Sequence, residues 1–312
     1  MSGLVWILAI IVLILAALAL WAGHVARGVE KLVPADGRIL DLGGARIHYT
    51  DQGSGPPIVM IHGLLGQVRN FADLAARMAI DHRVIVIDRP GWGHSSMVAP
   101  RPDIAAQGEI VAAFIRALDV EKPVLVGHSM GGAVALAVGI AHPELVGGLA
   151  LIAPYTHPAE RPPAVFRPMH LPAPLRTPLA WTIATPIGMR TGAARTARVF
   201  APDPVPADFA TRGGAALSLR PRSFQSGSFE LGMAHDSMMR LSQRYGAIEV
   251  PVAILYGHGD EVLDPELHGT DAAAAIPDAT IDLIDGGHML QVVYPAETEA
   301  WLRRSIARFN GS

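Results

Sequence analysis

The chain of 312 residues contains no cysteine, which excludes disulfides, thiolate zinc sites and a cysteine nucleophile, and leaves the redox compartment unread. It is also poor in charge. Only 17% of residues are charged, against 50% hydrophobic, a balance more apolar than that of an ordinary soluble chain, so part of the excess is expected to meet lipid. The net charge of −3 argues against a general nucleic-acid binder. Thirteen histidines are present, but no H-E-x-x-H or comparable helical pair occurs, so neither a metal nor a cofactor is expected.

What is abundant first is a run without charge. Leu4 to Ala22 is 19 residues of mainly Leu, Ile, Val and Ala; at ~1.5 Å per residue it spans roughly 28 Å, close to the thickness of a bilayer's hydrocarbon core. Trp6 and Trp21 lie near its ends, where indoles favour the membrane interface. The competing reading is a signal peptide cut near Ala17-Leu18-Ala19. The missing Lys or Arg before the run, and its length, favour a retained anchor. Residues 4–22 are therefore expected to contact membrane lipids in a single-pass protein of the bacterial inner membrane. Arg27, Lys31 and Arg38 follow the span, with Glu30 among them, too weak a bias to fix the side on which the body lies. His24 to Val33 keeps a helical pattern up to Pro34, and the anchor with this juxtamembrane helix offers a surface for homodimerisation.

After Pro34 the pattern changes. Arg38 to Tyr49 reads as two short strands around Gly43-Gly44. Pro57–Ile61, Val84–Ile87, Val124–Val126, Leu149–Ala153, Val250–Tyr256 and Thr280–Ile284 read as buried strands, and between them run helical stretches at 71–79, 107–118, from 131 onward, 267–275 and 296–309. Such alternation predicts a parallel sheet covered on both faces. Tyr155 to Ala247 interrupts it with Pro-rich and then helical sequence. This insertion carries eleven arginines, no lysine and five acids, hence +6, which leaves −9 for the rest of the chain. The expected organisation is an anchor over 1–23, a juxtamembrane helix over 24–34, a core over 35–154 and 248–312, and a mostly helical lid over 155–247.

The chemistry is carried by G-H-S-M-G-G at 127–132. A strand, a turn containing Ser129 and a helix starting beyond it form a nucleophile elbow, in which Gly127 and Gly131 leave room for the neighbouring backbone. A serine hydroxyl needs a base, and the base needs an orienting acid. His288 follows the last strand in a Gly-Gly-His turn, and Asp260 ends the strand before it. Asp264 and Asp285 are alternatives for the acid. Asp264, four residues past the strand end, suits a surface cap, and Asp285 is too near His288 in the chain to orient it easily. His128 is expected to pack or to bond rather than to act as base, while His94, Ser95 and Asp88 read as structural.

These motifs, with H-G-L-L-G at 62–66, D-R-P-G-W-G-H-S at 88–95, G-H-G-D-E-V at 257–262 and G-G-H-M at 286–289, resemble the α/β-hydrolase superfamily across residues 35–312. The resemblance implies an α/β-hydrolase fold, that is, a mostly parallel eight-stranded sheet flanked by helices. It also implies a Ser129, Asp260 and His288 triad and an oxyanion hole made by the N–H groups of Leu64 and Met130, with Leu65 as a fallback. A serine at the elbow tells against dehalogenases and epoxide hydrolases, which use aspartate there. The anchor and Arg-rich lid are similar to those of membrane-anchored bacterial lipases and lysophospholipases, so the expected substrate is a lipid-like carboxylic ester. The alternatives are a small-molecule esterase, a C–C bond hydrolase or a perhydrolase of the same fold, and, less favoured with all three triad candidates present, a non-enzymatic binder.

Overall fold

A computed structural model describes residues 3–311. The first element, α1 (Gly3–Leu32), is one unbroken helix that carries the apolar run and continues through the segment from His24 to Leu32. By length and composition it can cross a membrane, and its most apolar stretch is wholly exposed. The core follows as β1 (Arg38–Asp41), β2 (Arg46–Gln52), β3 (Pro57–Ile61), α2 (Ala72–Met78), β4 (Arg83–Ile87), α3 (Ile104–Ala117), β5 (Val124–His128), α4 (Met130–Ala141) and β6 (Gly148–Ile152). Three helices, α5 (Ala173–Leu179), α6 (Thr185–Phe200) and α7 (Pro221–Ser242), then intervene before β7 (Val252–Gly257), α8 (Asp271–Ala275), β8 (Ala279–Ile284), α9 (Leu290–Val293) and α10 (Pro295–Phe309).

The sheet has eight strands in the order β1-β2-β4-β3-β5-β6-β7-β8. The pairs β1 with β2 and β2 with β4 are antiparallel; every other pair is parallel. The mostly parallel α/β expectation is met, with a hairpin at one edge.

Period-two alternation in the central strands builds two cores. Val59, Ile61, Ile85, Ile87, Leu125, Leu149, Leu151 and Ile254 face one side, under α3 and α4. Their neighbours Ile58, Met60, Val84, Val86, Val126, Ala150, Ile152 and Leu255 face the other, under α2 and α10. Successive side chains point to opposite faces of a strand, so an all-apolar strand can serve two layers of helices at once. The last strand departs from the buried expectation: β8 is only half covered, and Leu283 is 41% exposed. It is the edge strand, with a neighbour on one side only. Helix α3 also begins earlier than expected, because Asp103 accepts the Ala106 N–H at 2.9 Å and caps its first turn.

The end of α1 meets the insertion between β6 and β7. Val29 and Val33, at and just beyond the last turn of α1, pack on Leu217, and the buried Arg220 donates to Glu30 at 3.2 Å. His94 donates to the Val33 carbonyl at 3.1 Å, tying the turn after β4 to the same end.

Candidate active site

Ser129 sits between β5 and α4 at φ 53° and ψ −121°, a conformation that costs a non-glycine residue about 1–3 kcal/mol and persists only where the surroundings hold it. They do so through the backbone. Its N–H donates to Ile152 O at 3.1 Å, and its carbonyl accepts from Gly132 at 2.9 Å and Tyr155 at 3.0 Å. A side chain at Gly131 would strike the carbonyl oxygens of Ile61 and His62, and one at Gly127 would lie 2.7 Å from Gly132 Cα. That is why the turn needs glycine on both flanks. The Ser129 hydroxyl does not cap α4.

The residues after β7 and β8 meet directly. His288 Nδ1 lies 2.7 Å from Asp260 Oδ2, with both side chains buried. The other carboxylate oxygen accepts the N–H groups of Val262 at 2.8 Å and Leu263 at 3.0 Å, so three donors fix the acid's orientation. Asp264 instead accepts the Glu266 N–H, as a surface cap, and among the described residues Asp260 is the acid bonded to His288. His128 donates from Nε2 to the His288 carbonyl at 3.1 Å, and the two rings lie 4.9 Å apart. The residue that precedes Ser129 in the chain thus lies against His288. Among the described residues no hydrogen bond joins the Ser129 hydroxyl to the imidazole; such bonds commonly tighten only around substrate.

Ser129, Leu64 and Met130 line one cleft of ≈ 600 Å³, its open mouth included. Among the described residues no acceptor takes the backbone N–H of Leu64, Leu65 or Met130. Met130 opens α4, where the first N–H groups of a helix have no internal partner and attract negative charge. Leu65 has φ 58°, part of the sharp turn that aims this loop. Gly63 allows the approach, since a Cβ there would lie 2.8 Å from Ser129 Cβ.

Residues not singled out from sequence complete the site. Arg89, fully buried, donates from Nε to His62 O at 2.7 Å and from Nη2 to Gly63 O at 3.0 Å. It also pairs with Glu230 of α7 at 2.7 Å, and the same carboxylate accepts the Trp92 indole N–H at 2.7 Å. One guanidinium therefore bridges α7 and the loop of Leu64. Its only sequence signal was an arginine in the turn after β4. Asp203, between α6 and α7, accepts the Gly287 N–H at 2.7 Å and the Tyr294 hydroxyl at 2.6 Å, and so braces the turn of His288.

Two neighbouring histidines are held neutral. His62 accepts the Arg89 N–H at Nε2, 3.0 Å, so its Nδ1–H donates to Gly63 O. Burial, helped by Arg89, pulls it down to about 3. Burial and the nearby His288 likewise hold His128 well below the usual range. His268, which bonds Thr156, is brought down to about 4 by burial. Unfolding frees each to bind a proton near its ordinary value of 6.5. Below that pH the unfolded chain takes up protons that the folded chain refuses, so stability falls as pH drops from 6.5 toward 4. The slope is at most about 1.4 kcal/mol per pH unit for each histidine. Urea unfolding at pH 7 and pH 5 is expected to give the lower midpoint at pH 5; an equal or higher midpoint there contradicts the assignment.

The strand order, the strained elbow and the imidazole–carboxylate pair at the strand ends define a hydrolase of the α/β class. The chain belongs to the alpha/beta hydrolase fold family, whose sequence profile matches residues 56–295. It is 38% identical over 115 residues to the dihydrolipoyllysine-residue acetyltransferase component of the acetoin cleaving system of Pseudomonas putida, covering 36% of this chain but only 31% of that protein. It is 28% identical over 284 residues to the magnesium-chelatase 30 kDa subunit of Rhodobacter capsulatus, covering 88% of this chain and 92% of that one. Among solved structures, a membrane phospholipase A described as a bacterial virulence factor superposes with a TM-score of 0.70 at 23% identity, over 99% of this chain and 98% of that one.

Proposed function

We propose that this protein is a membrane-anchored serine hydrolase that cleaves lipid-like carboxylic esters. His288 Nε2 takes the proton of the Ser129 hydroxyl as its oxygen attacks the ester carbonyl carbon, and Asp260 keeps the other ring N–H in place. The carbonyl oxygen becomes an oxyanion that accepts from Leu64 and Met130 N–H. Collapse of this intermediate breaks the ester C–O bond, the imidazolium protonates the leaving alcohol, and the acyl group stays on Ser129. Water, deprotonated by the same imidazole, then releases the carboxylic acid and restores the serine.

The observation that carries the lipid part is the junction of anchor and lid. The exposed apolar run of α1 leads without a break into the segment whose Val29, Glu30 and Val33 hold Leu217 and Arg220, and Arg220 lines a cavity that shares Leu64 and Phe166 with the cleft of Ser129. Beside this junction, Leu175, Trp181, Ile183, Ile187 and Met189 are each at least 40% exposed on the lid. Large apolar side chains left exposed close together in the chain favour a surface that meets another apolar phase. The shared fold of a membrane phospholipase A over nearly the whole chain supports the same reading.

The full chain in nonionic detergent is expected to hydrolyse dispersed lysophospholipids and monoacylglycerols as well as p-nitrophenyl butyrate. Ile187→Ser combined with Trp181→Ser is expected to depress lipid turnover on vesicles while sparing the soluble ester. Cleavage of p-nitrophenyl butyrate alone, with every lipid left intact, would contradict the lipid reading.

A further inference from the structure

Two cavities meet at the loop of Leu64, with Leu64 and Phe166 as shared walls, and Ser129 lines the smaller. The larger, of ≈ 970 Å³ with its open mouth, has one wall formed by α6. Gly188, Gly192, Arg195, Thr196 and Val199 recur there at helical spacing and all face the cavity. A side chain at Gly192 would meet nothing within 4 Å, whereas one at Gly188 would press on Leu219 Cδ2 at 3.1 Å and lie 3.6 Å from Arg195 Nη2. The guanidinium thus lies back along α6, toward Gly188.

No carboxylate lines this cavity among the described residues, and its two cations differ in kind. Arg220 is satisfied by Glu30, Leu217 O and Gly93 O. Arg195, half-buried, has neither an acidic partner nor a hydrogen bond among the described residues, and its Nε is buried without an acceptor. Burial alone pulls it below its ordinary range. A guanidinium fork held in apolar surroundings lacks the carboxylate or phosphate that its planar donors match.

We propose that Arg195 is the anion-binding group of the larger cavity, receiving the phosphate or carboxylate of an amphiphilic ester whose reactive carbonyl lies at Ser129. The proposal rests on the reading of the site as a lipid ester hydrolase, and it narrows the substrate to esters with an acidic group. The apolar walls hold the chain of the amphiphile, so a bare anion lacks most of the contacts.

The test is binding, not turnover, on the full-length Ser129→Ala variant in nonionic detergent, by titration calorimetry with octyl phosphate, octyl glucoside and inorganic phosphate. Arg195→Gln is expected to weaken octyl phosphate roughly tenfold or more, as loss of a charge-assisted bond does. Octyl glucoside should bind unchanged, and Arg195→Lys should recover part of the loss. Inorganic phosphate should bind more weakly than octyl phosphate. Octyl phosphate affinity within about twofold of the parent in Arg195→Gln would overturn the proposal. So would inorganic phosphate binding as tightly as octyl phosphate, or an equal loss of octyl glucoside in both variants, which would make Arg195 a packing residue. A wild-type enzyme inert toward all esters would sink the reading of Ser129 yet leave these affinities interpretable. Intact ester turnover with no preference for the anionic probe would sink this inference alone.

Discussion

Ser129→Ala is expected to lower ester turnover at least about a hundredfold, and as much as a millionfold by analogy with other serine hydrolases, with the thermal midpoint little changed. The hydroxyl caps no helix and makes no hydrogen bond among the described residues, so its removal breaks no structural contact and opens no cavity of consequence. Alanine tolerates the positive φ of this elbow no better and no worse than serine, so the strain is carried over unchanged. The residual rate would come from the unpaired N–H groups of Leu64 and Met130, which still polarise a bound carbonyl. The measurement is p-nitrophenyl butyrate hydrolysis by the full chain, with fluorophosphonate labelling as a second readout. Activity above about a hundredth of wild type, or labelling that persists in the variant, would remove Ser129 from the chemistry.

The second large effect is expected far from the elbow in sequence. Glu230→Ala should destabilise the protein by about 3–5 kcal/mol, because it leaves the Arg89 guanidinium buried with only Gln107 and two carbonyls for company. The thermal midpoint should fall on the order of 10 °C. Turnover of soluble esters should fall as well, since Arg89 holds the carbonyls of His62 and Gly63, which precede Leu64. The double variant Arg89→Met with Glu230→Met removes both charges at once and should recover much of the stability, as apolar replacement of buried pairs commonly does. It should not recover turnover, because the His62 carbonyl then loses the Arg89 donor and the Gly63 carbonyl keeps only the His62 Nδ1–H and the Gly66 N–H. A midpoint for Glu230→Ala within about 2 °C of wild type would show that the pair contributes little. Full activity in the double variant would show that the loop needs no support from Arg89.

The hydrolase reading reached from motifs and the architecture reached from periodicity agree because both rest on local rules. Buried parallel strands need apolar residues at every position, since both faces are covered. Pro57–Ile61 and Val124–Val126 therefore stood out as strands. The elbow needed glycine at 127 and 131 because neighbouring backbone passes within contact distance. The early start of α3 depended on one side chain, Asp103, closing a turn, and the apolar pattern begins only after it.

The amino-acid order alone determined the α/β sheet, the elbow at Ser129, the two strand-end turns that carry Asp260 and His288, and a helix long enough to cross a bilayer. Each of these is encoded within a few consecutive residues, through backbone conformation or hydrophobic period. The three-dimensional fold alone decided which side chains meet across long stretches of chain: Arg89 with Glu230, 141 positions apart, Asp203 with the turn before His288, and Glu30 of α1 with Arg220 at the start of α7. It also decided that Arg195, among eleven arginines of the insertion, lines a cavity without an acid to match it. Pairing between distant charges follows from how helices stack over the sheet, and that arrangement is fixed by burial summed over the whole chain, which no short stretch of sequence records.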